Sequence, residues 1–181
     1  MRCAAYALEL RDGSRCVGRS PAARDAAGRL AFLRKVNAQT DWLARAAHDS
    51  PADEALAAQV LEEQLDDDAC LELAAFGAGG MLACASIGPV DRTSPRRRHR
   101  ARVGVAVLKE CWGLGLGGAL VARLLAEAPA MGYTQVELET LRDNDRALRL
   151  YRRLGFREVG ALPEAVRGHE GVYMARSLEA E

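Results

Sequence analysis

Between Val103 and Glu127 the chain reads VGVAVLKECWGLGLGGALVARLLAE, and this stretch constrains the fold more than any other. Val103 to Leu108 is an apolar, β-branched run of the kind that forms a buried strand. Gly113, Gly115, Gly117 and Gly118 follow. Leu116, Leu120, Val121, Leu124 and Leu125 then recur at helical spacing. Strand, glycine loop and helix in that order make an anion site. Glycines let a ligand approach the backbone closely. The helix N-terminus adds free N–H donors and partial positive charge. The group expected there is a phosphate or pyrophosphate.

Taken alone, the loop admits more than one reading. It is not a P-loop, because no Gly-Lys-Ser/Thr ending is present. Gly113, Gly115 and Gly118 also read GxGxxG. A dinucleotide site would then need Glu137 or Glu139 as its ribose acid, and the stretch lacks the expected early place in a βαβ unit. A third reading is purely structural: the glycines let the helix pack tightly.

The downstream sequence separates these readings. Gln135 to Leu141 is another strand, followed by LRDNDRALRLYRRLGF. Here the chain resembles the GNAT superfamily of acetyl-CoA-dependent N-acyltransferases. Trp112, Gly113, Leu114, Gly115, Leu116 and Gly117 match its cofactor loop, Gln/Arg-x-x-Gly-x-Gly/Ala, with Trp at the first position. Asn144, Ala147, Leu150, Tyr151, Gly155 and Phe156 match its second signature throughout. The resemblance is firm from Val103 to Val159 and looser elsewhere. It implies an α/β (α+β) fold with a mixed, mostly antiparallel central sheet of about six to seven strands and about four flanking helices. The two middle strands splay apart, and the cofactor lies in the gap.

Length and composition bound the rest. A chain of 181 residues is expected to be one domain, residues 1–181, with a sizeable core. Net charge is zero, so nothing global draws the chain to nucleic acid or an anionic membrane. The run from Pro95 to Arg100 lacks interleaved aromatics and reads as a solvated loop. It is also a candidate contact for an anionic acceptor or for the adenosine 3′-phosphate of the cofactor. No apolar run is long enough for a membrane span or reads as a signal peptide. The five cysteines have neither metal-ligand nor disulfide-framework spacing. Cys70, Cys84 and Cys111 are expected in the core, no metal is expected, and a reducing cytoplasm fits.

Along the chain, Tyr6–Leu10 and Arg15–Val17 flank Asp12-Gly13 as a hairpin, or as one strand entering a turn. A helix is predicted near Ala22–Val36 with Leu30, Leu33 and Val36 inward. A second, starting at Ser50 or Asp53 and ending near Leu65, turns Leu56, Val60, Leu61 and Leu65 inward. Ala69–Phe76 and Met81–Ile87 form an antiparallel hairpin around Gly77–Gly80, followed by a polar loop, Pro89–Arg100. Pro129 or Gly132 closes the central helix. A helix at Asn144–Leu154 and strands near Arg157–Ala161 and Gly171–Ser177 complete the chain.

The resemblance also assigns roles. The backbone of Val105, Ala106 and Val107 would bind the pantetheine arm of acetyl-CoA as an added strand, and the amides from Gly113 to Gly118 would take its pyrophosphate. Asn144 would approach the arm, and it is equally a good N-cap. Tyr151 would protonate the departing thiolate. Many relatives carry a Glu base where this chain has Arg102, which cannot accept a proton. Glu72, Glu139, His99 or a bound water are the substitutes. Arg102 alternatively selects an acceptor bearing a carboxylate or phosphate. Asp41 and Trp42 fall where the superfamily caps its acceptor pocket. Cys111 is discounted as a nucleophile because the family transfers directly. The expected partner is a small-molecule or peptide amine, with a homodimer admitted. The alternatives are a catalytically inactive acyl-CoA-binding sensor and an unrelated nucleotide-binding domain.

Overall fold

The computed structural model describes residues 1–42 and 53–179. The chain runs β1 (Tyr6–Glu9), β2 (Arg15–Arg19), α1 (Ala26–Gln39), α2 (Glu54–Asp66), β3 (Leu71–Gly77), β4 (Gly80–Pro89), β5 (Arg100–Val107), α3 (Leu116–Glu127), β6 (Gln135–Leu141), α4 (Asp145–Arg153), β7 (Arg157–Val166) and β8 (His169–Ser177). The strands join one sheet in the order β1-β2-β3-β4-β5-β6-β8-β7. Every neighbouring pair is antiparallel except β5 and β6.

The sheet has eight strands where six to seven were expected. The Asp12-Gly13 turn makes the difference, closing β1 and β2 into a hairpin. Gly13 has φ +83°, which glycine adopts at little cost. Ser14 donates twice to Asp12 Oδ1, from N–H at 3.0 Å and from Oγ at 2.7 Å.

The two faces of the sheet carry different helices. Leu116, Leu120, Val121, Leu124 and Leu125 of α3 are buried, as the spacing predicts. Val105 and Val107 face this helix, their Cγ2 atoms 3.7 and 3.4 Å from where a Cβ on Gly117 would stand. On the other face, Arg29 of α1 reaches Glu72 of β3 through two hydrogen bonds, Nε to Oε1 at 2.9 Å and Nη2 to Oε2 at 3.0 Å. Toward β6 this second face is open: Arg102, Gly104 and Glu139 are exposed. No helix among the described residues is long and apolar enough to cross a membrane.

The Arg29–Glu72 pair yields a stability prediction. Its side chains are only 15% and 7% exposed, so losing one partner strands a buried charge. Arg29→Met is expected to destabilise the protein by about 3 kcal/mol. Arg29→Met with Glu72→Met is expected to recover most of that loss. Urea unfolding monitored by circular dichroism checks both, and equal stability of wild type and the single variant would refute the assignment.

Helix and strand limits shift where long-range contacts outweigh local pattern. α1 follows a short 3₁₀ turn at Ala23–Asp25 and continues past Val36 to Gln39. Gln39 is anchored there, accepting from the Lys109 N–H and donating to Glu110, which also pairs with Lys35. α2 starts from Asp53, whose Oδ1 accepts from the Ala55 N–H at 2.9 Å. Ser50, the other predicted start, lies outside the described residues. β5 begins at Arg100 rather than Val103, because pairing with β4 and β6 continues through arginines that point to the open face.

Candidate active site

The parallel pairing of β5 with β6 is brief. Arg100, Ala101 and Arg102 meet Gln135, Val136 and Glu137, and beyond them the strands part. Leu108 N–H donates to Leu82 C=O at 3.0 Å, which sets the phase of the β4–β5 ladder. Antiparallel ladders alternate, so Gly104 and Ala106 turn their peptide groups to β4, while Val103, Val105 and Val107 turn theirs toward the gap. An unpaired strand edge is thereby offered to an extended ligand. Ala106 is corrected on this point: its surface lines the gap, but its hydrogen-bonding groups belong to the β4 side. A cavity of about 230 Å³ fills the splay, with Trp42, Gly104, Glu139, Asn144, Ala147 and Tyr151 among its walls.

The four loop glycines divide into two pairs. Gly113 and Gly115 have φ +86° and +96°, turning the chain into α3. Gly117 and Gly118 permit close packing, since a Cβ on either would lie within 3.4 Å of Val107 or 3.3 Å of Leu150. The first α3 bond runs from Ala119 N–H to Gly115 C=O. Among the described residues, the amides of Gly113, Gly115, Leu116, Gly117 and Gly118 have no protein acceptor. Leu114 differs: its N–H donates to Cys111 C=O, and its C=O accepts from Arg11. The free amides border a second cavity of about 500 Å³. This donor set fits a pyrophosphate.

Trp112 is bound into the site rather than merely tolerated in the loop. Its Nε1–H donates to Val107 C=O at 2.8 Å, occupying one acceptor of the free edge. Its ring stacks on Trp42 with centroids 5.6 Å apart, and the Arg146 guanidinium lies 4.9 Å from its centroid. The stack ties the segment after α1 to the glycine loop. Asp41, by contrast, is exposed and lines neither cavity.

Asn144 is the N-cap of α4, its Oδ1 accepting from Ala147 N–H at 3.1 Å. Its amide group keeps both donors for the cavity. Tyr151 sits on α4 against Phe156, edge-on at 5.7 Å. It is 5% exposed, and its hydroxyl has no protein partner among the described residues. Burial pushes the phenol up to about 12, so it stays protonated through neutral and moderately alkaline pH.

The candidate bases separate cleanly. Glu72 is locked to Arg29 on β3. His99 borders a different cavity, with Asp91, Arg92 and Tyr133. Glu137, the neighbour of Glu139 on the same strand face and not one of the candidate bases, accepts from Arg100 at 2.8 and 2.9 Å. Of the three candidate side chains Glu139 alone lines the splay, and among the described residues it has no hydrogen-bonding or ionic partner. Arg102 is likewise unpaired. It lies beside Glu137 in register, two residues from Glu139 along the same open face. Cys111 is buried and its thiol is raised by burial, which suits a core residue and not a nucleophile. Cys16 is also buried, and all five cysteines are free.

Several wall residues carry no sequence signal. Thr40, the C-cap of α1, lines the cavity, as does Val36, which helical spacing marks only as an inward residue. Arg146 hides at an unspecified position of the second motif. Arg11 arrives from a hairpin more than a hundred residues upstream of the loop it touches.

The model of the acetyltransferase (GNAT) family matches residues 37–156. No curated protein sequence matches the chain. Among solved structures, a GNAT-family acetyltransferase from Streptococcus pneumoniae superposes with a TM-score of 0.84 at 24% identity, covering 90% of this chain and 98% of that one. YncA of Salmonella typhimurium, solved with its cofactor acetyl-CoA, gives 0.79 at 22% identity over 93% and 96%. A ribosomal-protein-alanine N-acetyltransferase from Brucella melitensis gives 0.75 at 24% identity over 88% and 98%. At these identities the likeness carries the fold.

Proposed function

Because the chain belongs to the acetyltransferase (GNAT) family, we propose that it moves an acetyl group from acetyl-CoA to a primary amine, by direct transfer with both substrates bound. The observation that carries this reading is the free edge of β5, flanked by five unsatisfied amides at one end and an unpartnered tyrosine hydroxyl at the other.

Acetyl-CoA supplies the activated acetyl thioester. Val105 and Val107 would hold its pantetheine arm by backbone hydrogen bonds, and the amides of Gly113 and Gly115–Gly118 would hold its pyrophosphate. Asn144 adds its free side-chain donors. Glu139 takes the proton that the attacking amine must lose, directly or through one water. Tyr151 Oη donates a hydrogen bond to the departing sulfur and limits the charge that builds there. Its raised pKa keeps that proton in place through neutral and moderately alkaline pH.

Arg102 and Glu139 support an acceptor that carries an anionic group near its amine. The guanidinium would hold the carboxylate or phosphate, and the carboxylate would draw in the amine. Trp42 supplies an apolar wall. The five free thiols favour action in a reducing compartment such as the cytoplasm.

The test is calorimetric titration with acetyl-CoA, with NAD and ATP as controls, followed by thiol release across an amine panel. The panel pairs amines that carry a carboxylate with their uncharged amides. Selective acetyl-CoA binding and turnover are expected, with the carboxylates favoured by about tenfold in kcat/KM. Binding with no turnover across the panel would replace the enzyme reading with that of an acyl-CoA sensor.

A further inference from the structure

Trp112 stands at the junction of the two cavities and lines both. It is also the position where the glycine loop departs from its signature, which has Gln or Arg. Three ties hold the residue. Its Nε1–H donates to Val107 C=O on the free edge of β5. Its backbone N–H donates to Lys109 C=O at 3.2 Å. Its ring stacks on Trp42 with 21° between the planes. Gln or Arg can donate to the same carbonyl, but neither offers an aromatic ring.

Trp42 is supported from fewer sides. Its N–H donates to Thr40 Oγ1 at 3.1 Å, and its ring rests on Trp112. Thr40 is the C-cap of α1, so Trp42 stands beyond the helix. The wall it forms in the splay therefore depends on a side chain of the donor loop.

Donor binding acts on Trp112 from two directions. The next residue, Gly113, offers one of the free amides, and Val107 lies on the pantetheine track. A carbonyl has two lone pairs, so Val107 can accept from Trp112 and from a donor amide together. An occupied track restricts the indole, and the stack passes that restriction to Trp42. Fixing the wall before the acceptor arrives removes its ordering cost from the acceptor step. The coupling is reciprocal, because it is a free energy shared by the two sites.

Resting on the acetyl-CoA reading of the site, we propose that Trp112 is a positioning residue: when the donor binds, it sets Trp42 as a wall of the acceptor site.

The chain has two tryptophans, these two, so intrinsic fluorescence reports on the stack without a label. The test is titration with acetyl-CoA, with calorimetry for binding and tryptophan emission for the response. Wild-type emission is expected to change on binding. Trp112→Gln restores the signature residue, keeps a donor for Val107 and leaves Trp42 as the single emitter. Its emission is expected to lose the response while calorimetry still records binding. Trp112→Phe keeps a stacking ring and is expected to recover part of the response. Trp42→Leu is expected to weaken acetyl-CoA about threefold in the wild-type background and not at all in Trp112→Gln. A Trp42 response that persists in Trp112→Gln would mean direct contact with the donor and would overturn the inference. Additive losses in the affinity cycle, a silent Trp112→Phe, or silent wild type with calorimetric binding would overturn it as well. Absence of calorimetric binding by folded wild type would instead overturn the acetyl-CoA reading beneath it.

Discussion

Gly115→Glu is expected to weaken acetyl-CoA binding by at least about a hundredfold, the loss of two or more charge-assisted hydrogen bonds. Gly115 caps α3 at φ +96°, where an L side chain costs roughly 1–2 kcal/mol. The new side chain would enter the space beside the Arg11 stem, 3.7 Å from the Cβ position. Its carboxylate would accept from the loop amides and pair with Arg11, taking the place of the ligand's own anion. The backbone strain alone predicts a fall in Tm of roughly 2–8 °C, small enough to leave a folded protein. Gly79→Glu is the control. A Cβ on Gly79 meets nothing within 4 Å, and this turn lies outside the site. Calorimetry with acetyl-CoA measures the effect. Wild-type affinity in folded Gly115→Glu would remove the loop from the donor site and return its glycines to a packing role.

Tyr151→Phe should lower kcat by about 100-fold, within the range for losing a positioned proton donor. The ring remains, so the edge contact with Phe156 and the burial of α4 remain with it. Acetyl-CoA affinity should change less than about twofold, because the hydroxyl has no protein partner to lose. The pH profile carries an independent signature. The folded phenol titrates near 12, above its ordinary value of 10.0, so Tyr151 stays protonated below both values and yields its proton only as pH rises toward the upper one. Wild-type activity should therefore show no alkaline decline from Tyr151 below about pH 11. Glu139→Gln acts on the other proton. It should depress kcat most where the acceptor amine is largely protonated, and less as pH rises and the solvent takes over the base role. Steady-state thiol release across pH 7–10 separates the two variants. An unchanged kcat in Tyr151→Phe at every pH would exclude the donor role. Parallel profiles for wild type and Glu139→Gln would exclude Glu139 as the base.

Much of the architecture follows from local sequence. The apolar run from Val103, the glycine cluster and the periodicity of Leu116 to Leu125 determine a strand, a loop and a helix with the observed buried face. Asn144 and the tyrosine helix follow likewise, because capping and helical spacing act over a few residues. The hairpin at Asp12-Gly13 was open between two readings, and hydrogen bonds within a single turn settle it.

Other properties arise only when distant segments meet. Glu72, Glu139 and His99 were equivalent as side-chain general bases in the sequence. Arg29 neutralises Glu72, packing carries His99 to another cavity, and Glu139 is left. The peptide groups of Ala106 and Val107 look interchangeable in the sequence. The phase of the β4–β5 ladder turns one toward β4 and the other toward the ligand. Local sequence determined which elements form, because helix and strand propensities are short-range. Tertiary structure decided which charges remain free and which strand edge stays open, because pairing and burial depend on residues brought together from far along the chain.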